Sequence, residues 1–312
     1  MKKRIFLVVI GTLLVLGAFF VWWFRSRIYL PAINQPVNVL VLGKGGVGHE
    51  APDLTDTMIL ISFPVNGEIK LVSLSRDLWV ADNRAKLNAS YYWGQEKGVG
   101  GLVMAKSDVI KITGLKVDYG VVLDFSVFEK VVDTLGGISV VVENSFVDTK
   151  YPIAGRENDL CNGDRTYACR YETVSFDQGL VHMDGSLALK FVRSRNAVGD
   201  EGTDLARGRR QTQLISAIKN KLLSKEVVLS PSIWKKLMTV VQNNLETDMT
   251  PRRMFDLGLK IIHLRGQIAS LSIPDGYLIN PPVSLKYDRQ YVFVPKNGSW
   301  MELQTWFKEV GF

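Results

Sequence analysis

The residues of this chain that could do chemistry gather in a few short stretches. The densest is FVRSRNAVGDEGTDLARGRRQ, residues 191–211. Arg193 and Arg195 stand two apart in a strand-like run, a spacing that points both side chains the same way. A helix predicted over 204–224 puts Asp204, Arg207 and Gln211 in line with Ile215, Ile218 and Leu222, at about 100° per residue. Its apolar stripe therefore turns polar and charged over its first two turns, where Arg210 also lies. Three guanidiniums, Arg193, Arg195 and Arg207, would then meet near one helix N-terminus. Guanidinium forks and helix N-termini both favour phosphate. The competing assignment is a salt-bridge network with Asp200, Glu201 and Asp204, because buried arginines are rare unless paired.

Three other stretches add to the charge pattern. In LVSLSRDLWV the apolar run ends in Arg76-Asp77, which sets an arginine at a strand tip over the sheet edge. AKLNASYYWG carries Lys86 and Asn88, candidates for substrate contact, although a lysine is most often a surface residue. KGGVGHEAPDLTDT is a glycine-rich loop without the GxGxxG spacing or the Gly-Lys-Ser/Thr ending of a phosphate-binding loop. Asp56 closes that loop just before a strand. With Asp53, Glu50 and His49 it offers ligands to a hard cation such as Mg²⁺, which takes one or two carboxylates plus substrate phosphates. The plain alternative is that Asp53 or Asp56 caps the loop. Cys161 and Cys169 lie eight apart in NDLCNGDRTYACRYE. A local disulfide suits an oxidising compartment. A metal site would need further ligands, and none of His49, His182 or His263 is near in sequence.

The elements that must position these residues mix strands and helices without strict alternation. Strands are expected at 37–43, 57–64 and 68–75, with Asn66-Gly67 as a hairpin turn, so the domain opens as a β-meander. Further strands are expected at 117–125, 138–146, 268–274 and 291–295. Helices are expected at 99–113, 126–135 with Gly136-Gly137 as its stop, 184–192, 204–224, 231–243 and 251–264. Thr250 and Pro251 would open the helix at 251. Ser299 and Glu302 have the spacing of a capping box for a last helix. Residues 147–178 form a long excursion that holds the cysteine pair. This order predicts an α/β (α+β) domain, one large unit with a mixed central sheet flanked by helices.

Composition bounds the rest. The chain has 312 residues, 46% hydrophobic and 22% charged, which excludes disordered and collagen-like classes. Its net charge of +7 suits phosphate-bearing partners or an anionic membrane surface. Residues 5–24 are apolar and uncharged, long enough at 1.5 Å per residue to cross a hydrocarbon core of about 30 Å. Lys2, Lys3 and Arg4 precede the run and Trp22-Trp23 sit where an aromatic belt would. The expectation is a cytoplasmic N-terminus at 1–4, a transmembrane signal-anchor at 5–24, a linker at 25–36, and a domain on the extracytoplasmic side. A nucleic-acid partner is not expected: the basic residues lie across the membrane from DNA, and no recognition motif is present.

Seven blocks in order resemble the LytR-CpsA-Psr proteins: NVLVLG, DLTDTMIL, LVSLSRDLWV, KLNASYYWG, DFSVFEKVVDTLGGISV, HMDGSLALKFVRSR and DLARGRRQ. They cover about residues 37–224. The resemblance implies a Mg²⁺-dependent transferase that moves a glycopolymer from an undecaprenyl-pyrophosphate carrier onto peptidoglycan. It implies a mixed sheet flanked by helices, with the lipid tail in an apolar pocket. By motif, Asp56 matches the Mg²⁺-binding aspartate, Arg76 a pyrophosphate-contacting arginine, and Arg193 and Arg195 the phosphate-holding pair. Asp204, Arg207 and Gln211 match the helix that closes the site. The chain departs from the pattern at Gly45 and Leu54, where many members have Asp and Arg. Glu50 or Asp53 would then stand in as a metal ligand. Asp77 and Asp204 are the candidate bases. Two alternatives share these residues: a lipid-pyrophosphate hydrolase using water, and a non-catalytic wall-binding or regulatory protein. Residues 225–312 lie largely outside the blocks and are expected to pack on the same domain.

Overall fold

The structure is a computed structural model and describes residues 35–46, 51–263 and 268–312. The expected anchor at 5–24 and most of its linker lie outside the described residues. Among the described residues no helix is long and apolar enough to cross a membrane.

The opening meander forms as its patterning requires. Strands β1 (Val37–Lys44), β2 (Thr55–Phe63) and β3 (Ile69–Ser73) pair antiparallel in sequence. Two-residue pieces β4 (Trp79–Val80) and β5 (Ala85–Lys86) make a small ladder and lead into helix α1 (Ser90–Glu96) and helix α2 (Gly101–Thr113). Strand β6 (Tyr119–Asp124) returns parallel to β1, and α3 (Phe125–Thr134) follows without a gap. Gly136 and Gly137 end α3 at φ of 78° and 81°, a backbone region closed to most side chains. Strands β7 (Ile138–Val142) and β10 (Gly179–Met183) pair with each other, outside the main sheet. Between them β8 (Phe146–Pro152) and β9 (Tyr171–Phe176) form a hairpin whose tip is closed by the Cys161–Cys169 disulfide. The excursion is thus a braced arm.

Helix α4 (Gly185–Arg193) and helix α5 (Asp204–Leu222) carry the arginine cluster. After them come α6 (Lys225–Val228), α7 (Pro231–Asn244), β11 (Glu246–Thr247), α8 (Pro251–His263), β12 (Ile268–Leu271), β13 (Leu278–Ile279), β14 (Val294–Pro295) and α9 (Met301–Glu309). The run at 291–295 makes only the short β14. The capping box does not form: Glu302 accepts from Asn297, and Ser299 accepts from the Met301 N–H.

The central sheet has the order β11-β6-β1-β2-β3-β12 and mixes parallel and antiparallel pairs. Both edge strands come from beyond residue 225, so the C-terminal part is built into the sheet. One face carries Leu40, Leu42, Leu60, Val72 and Val122 under α1, α2 and α9. The other face packs Val37, Val39, Phe63 and Ile69 against Leu257 of α8. Farther along that face Val41, Ile61, Val121 and Leu123 are only half-buried. A separate core joins β7–β10 to α4 and α5 around Phe146, Phe176 and Phe191.

Candidate active site

One edge of the sheet collects the charged residues. Strands β1 and β6 run parallel and end in register at Lys44 and Asp124. Lys44 also stands opposite Thr55, the first residue of β2. Strand β3 ends at the same edge, where the Leu74 N–H donates to the Met58 carbonyl at 2.8 Å. Asp56 and Arg76 therefore face each other across neighbouring strand ends. Ligands of open α/β sheets commonly bind beyond the carboxyl ends of strands.

The first half of the site is a chain of ion pairs. Arg76 Nη1 donates to Asp56 at 2.5 Å, and both side chains stay accessible, at 32% and 42% exposure. Arg76 Nε lies 3.7 Å from Asp77, which accepts from Lys86 at 2.8 Å. Asn88, expected to touch substrate, is buried instead. Its N–H donates to the Arg76 carbonyl, and its carbonyl accepts from Thr55 Oγ1 at 3.1 Å. Its part is to hold the Arg76 loop against the start of β2.

Asp53 is committed elsewhere. It accepts from Lys44 at 2.8 Å, and the Lys44 ammonium sits 5.2 Å from the Tyr91 ring centre. The Tyr91 hydroxyl donates to Glu246 at 2.5 Å. Burial pulls the Lys44 ammonium down, but the Asp53 bond and the nearby Tyr91 and Glu246 raise it above its ordinary value. Glu50 and His49 lie outside the described residues. Among the described residues the one trio of close acidic or sulfur groups is Asp159 with Cys161 and Cys169, whose sulfurs are bonded to each other. The donor set at the sheet edge thus fits Mg²⁺ only as an ion shared with phosphate oxygens, with Asp56 as the accessible carboxylate.

The second half is built on aromatic rings. The run FVR is not a strand: Arg193 is the last residue of α4, and Arg195 follows in extended chain. Asp184 caps α4, accepting from the Leu187 N–H, and the helical period buries Ala188, Leu189 and Phe191 through this stretch. The Arg193 guanidinium lies 4.0 Å from the centre of Phe125, the residue directly after β6. It also donates to the Tyr151 hydroxyl at 3.4 Å. Burial pushes that hydroxyl's pKa up, and Arg193 offsets part of the rise. Arg193 thus stands over the same sheet edge as Lys44 and Asp56. Arg195 is placed by fully buried Asp148, which accepts the N–H groups of Arg195 and Asn196 at 3.0 and 3.1 Å. A lone carboxylate in the strand FVDTKYP was the available signal for this anchor.

Helix α5 turns more of its polar residues inward than the wheel predicts. Arg207, Arg210 and Gln211 are all buried, at 9%, 2% and 3% exposure. Arg210 is tied into the fold by its contacts. It donates to Glu201 at 2.9 Å and to the Ser194 carbonyl at 2.6 Å, and its guanidinium stacks 4.6 Å from Phe146. Burial lowers its pKa. The salt-bridge network therefore forms at Arg210, with Arg209 as a second donor to Glu201. Arg207, by contrast, lines a cleft of about 420 Å³ with Ser73 and Ser75, just before Arg76. The Gln211 side-chain oxygen is buried without a hydrogen-bond partner among the described residues. Asp204 opens the helix after the Thr203 cap; its side chain lies outside what is described.

This arrangement can hold a diphosphate: the Arg76 and Arg193 guanidiniums and the partly exposed Asp56 and Asp53 carboxylates stand at one sheet edge beside half-buried apolar strands. The model of the LytR_cpsA_psr family matches residues 26–308. The chain belongs to this family. The match reaches beyond the seven blocks and takes in both C-terminal edge strands. Among family relatives, the chain is similar to polyisoprenyl-teichoic acid–peptidoglycan teichoic acid transferase TagU of Bacillus mycoides (strain KBAB4), 28% identical over 231 residues. That alignment covers 72% of this chain and 64% of the relative, so the chain spans less than two thirds of the relative's length. The solved Lin1025 protein of Listeria innocua is 25% identical with a TM-score of 0.59, covering 88% of this chain and 98% of that one. TagT bound to LIIa-WTA, 23% identical with a TM-score of 0.59, covers 88% and 90% and shares the fold.

Proposed function

We propose that this family member transfers a glycopolymer from an undecaprenyl-pyrophosphate carrier to peptidoglycan. The observation that carries this is the accessible Asp56–Arg76 pair set on the same sheet edge as Arg193. Arginine forks match phosphate oxygens in geometry and charge. The half-buried Val41, Ile61, Val121 and Leu123 on the adjoining sheet face suit a polyprenyl tail. The names of the relatives fit the same substrates.

In the proposed reaction a peptidoglycan hydroxyl attacks the phosphorus nearer the glycopolymer. A P–O bond forms, the bridging P–O bond breaks, and polyprenyl phosphate leaves. Asp77, held between Lys86 and Arg76, is one carboxylate that would take the hydroxyl proton, with Asp204 as the other candidate. Arg76, Arg193 and Arg207 stabilise the charge that builds on the phosphates. A Mg²⁺ bound at Asp56 would add further charge neutralisation on the phosphate oxygens. We place the domain outside the cytoplasmic membrane, tethered through 5–24. The apolar run and the disulfide support that side.

The test uses the full chain in detergent with a labelled undecaprenyl-pyrophosphate oligosaccharide and peptidoglycan fragments, with Mg²⁺ or EDTA. Label joined to peptidoglycan, and lost with EDTA, is the expected result. Label released only as glycan phosphate would make the protein a hydrolase. No turnover with retained lipid binding would make it a non-catalytic wall protein.

A further inference from the structure

Beside the arginine cleft runs a second trough of about 400 Å³ with a mixed polar and apolar lining. Helix α5 makes one wall, the outward face of β7 another, and Ser270 and Ser272 of the β12 edge a third. The two hollows adjoin: Gly208, Ser270 and Ser272 line both, and Thr212 donates to Ser270 at 2.7 Å where they meet. The trough therefore leads from Arg207 and Ser73 outward along α5. Thr212, Gln213, Ser216 and Asn220 set hydroxyl and amide groups, which both donate and accept hydrogen bonds, beside the apolar Val141 and Ala217.

Its charge balance narrows the ligand. Arg209 and Arg210 share the one carboxylate of Glu201, which leaves about one positive charge at this end of the trough. Glu143 adds a carboxylate to the wall. A polyanionic chain would gain no net attraction there, and an apolar chain would strand the hydroxyls. A neutral polyol with amide groups fits both features. Gly208 is the waist between the two hollows, and a Cβ built on it meets no atom within 4 Å. A larger side chain there would fill the passage without displacing the fold, and would suit a helix interior better than glycine.

We propose that this trough is the subsite for the acceptor glycan strand, lying outward from the phosphate site with its reacting hydroxyl at the Gly208 end. The assignment rests on the transferase function proposed above. Its residues from Thr212 to Asn220 on α5 are binding groups for the acceptor and lie outside the cleft that Arg207 lines.

The test compares the wild-type full chain with Gly208→Leu and Ser216→Tyr, the latter far from the arginines. Donor hydrolysis, donor affinity and acceptor KM are each measured, together with melting temperature. Both variants should melt no lower than wild type, and Ser216→Tyr, which lines the trough but not the arginine cleft, should bind the donor with unchanged affinity. Gly208→Leu should raise the acceptor KM at least about tenfold, and Ser216→Tyr should do so only for long glycan strands. Wild-type acceptor KM in both variants would overturn the trough alone. Loss of donor affinity in Ser216→Tyr would assign the trough to the donor glycan and overturn the acceptor assignment. A wild-type protein that turns donor over but never joins it to any acceptor would sink the transferase function, and the trough assignment with it.

Discussion

Two arginine–carboxylate pairs in this molecule are alike in composition and opposite in setting. Arg76 and Asp56 meet at 2.5 Å with 32% and 42% of their side chains exposed. Arg210 and Glu201 meet at 2.9 Å with 3% and 13% exposed. An exposed pair contributes about 0–1 kcal/mol to folding and is easily opened by a ligand. A buried pair is costly to break, because either partner left alone is an unpaired charge out of water. The accessible pair is thus free to exchange its carboxylate for phosphate, whereas the buried pair fastens the 195–202 segment to α5. Arg193 belongs with the first kind: two aromatic rings position it instead of a carboxylate.

The comparison breaks most visibly if the accessible arginines are removed. Arg76→Ala and Arg193→Ala should each cut transfer roughly 10²–10³-fold, the cost of losing one charge-stabilising group. Their melting temperatures should stay near wild type, as read by calorimetry beside the transfer assay. At the buried pair the pattern reverses. Glu201→Ala should cost about 3 kcal/mol of stability, a melting temperature lower by about 6–12 °C. Turnover well below that temperature should be retained.

Acidification separates the pairs further. Burial pushes the Glu201 carboxyl up, but Asn144, Arg209 and Arg210 pull it down more, so it titrates below its ordinary value of 4.5. A depressed carboxylate adds stability above its unfolded pKa and loses it as pH falls through the folded one. The wild-type melting temperature should therefore drop as pH falls below about 4.5. Glu201→Ala, which lacks the group, should drop less over that window. The smallest effect is expected at Asp53. Asp53→Ala should change the Mg²⁺ concentration needed for half-activity less than about fivefold, the scale of one surface ion pair. Asp56→Ala should change it more; a larger effect at Asp53 would mean that the glycine-rich loop supplies a metal ligand.

Much of this was legible before any coordinates. The meander, the hairpin turn and the long helix at 204 follow from alternation, turn residues and capping. Arg76 at a strand tip was readable because so apolar a strand, LVSLS, ends at a layer edge. Three things were not. Arg193 and Arg195 looked like a strand pair because two arginines at spacing two cannot reveal that α4 continues through the first of them. Arg210 falls off the predicted inward stripe, and its burial follows from the partner at Glu201, folded back from the preceding turn, which the helical period does not show. Lys44 offered no pattern at all: its place beside Asp53 and Tyr91 depends on contacts between β1, the glycine loop and α1.

The central claim is that Arg76 and Arg193, at the accessible sheet edge, bind the diphosphate while Arg210, paired with Glu201, holds the fold. The most direct measurement is the affinity of the full chain in detergent for an undecaprenyl pyrophosphate, compared between Arg193→Ala and Glu201→Ala well below both melting temperatures. The account predicts that affinity falls strongly in Arg193→Ala and stays at the wild-type value in Glu201→Ala. Equal affinity in Arg193→Ala and wild type, or a loss confined to Glu201→Ala, would contradict it.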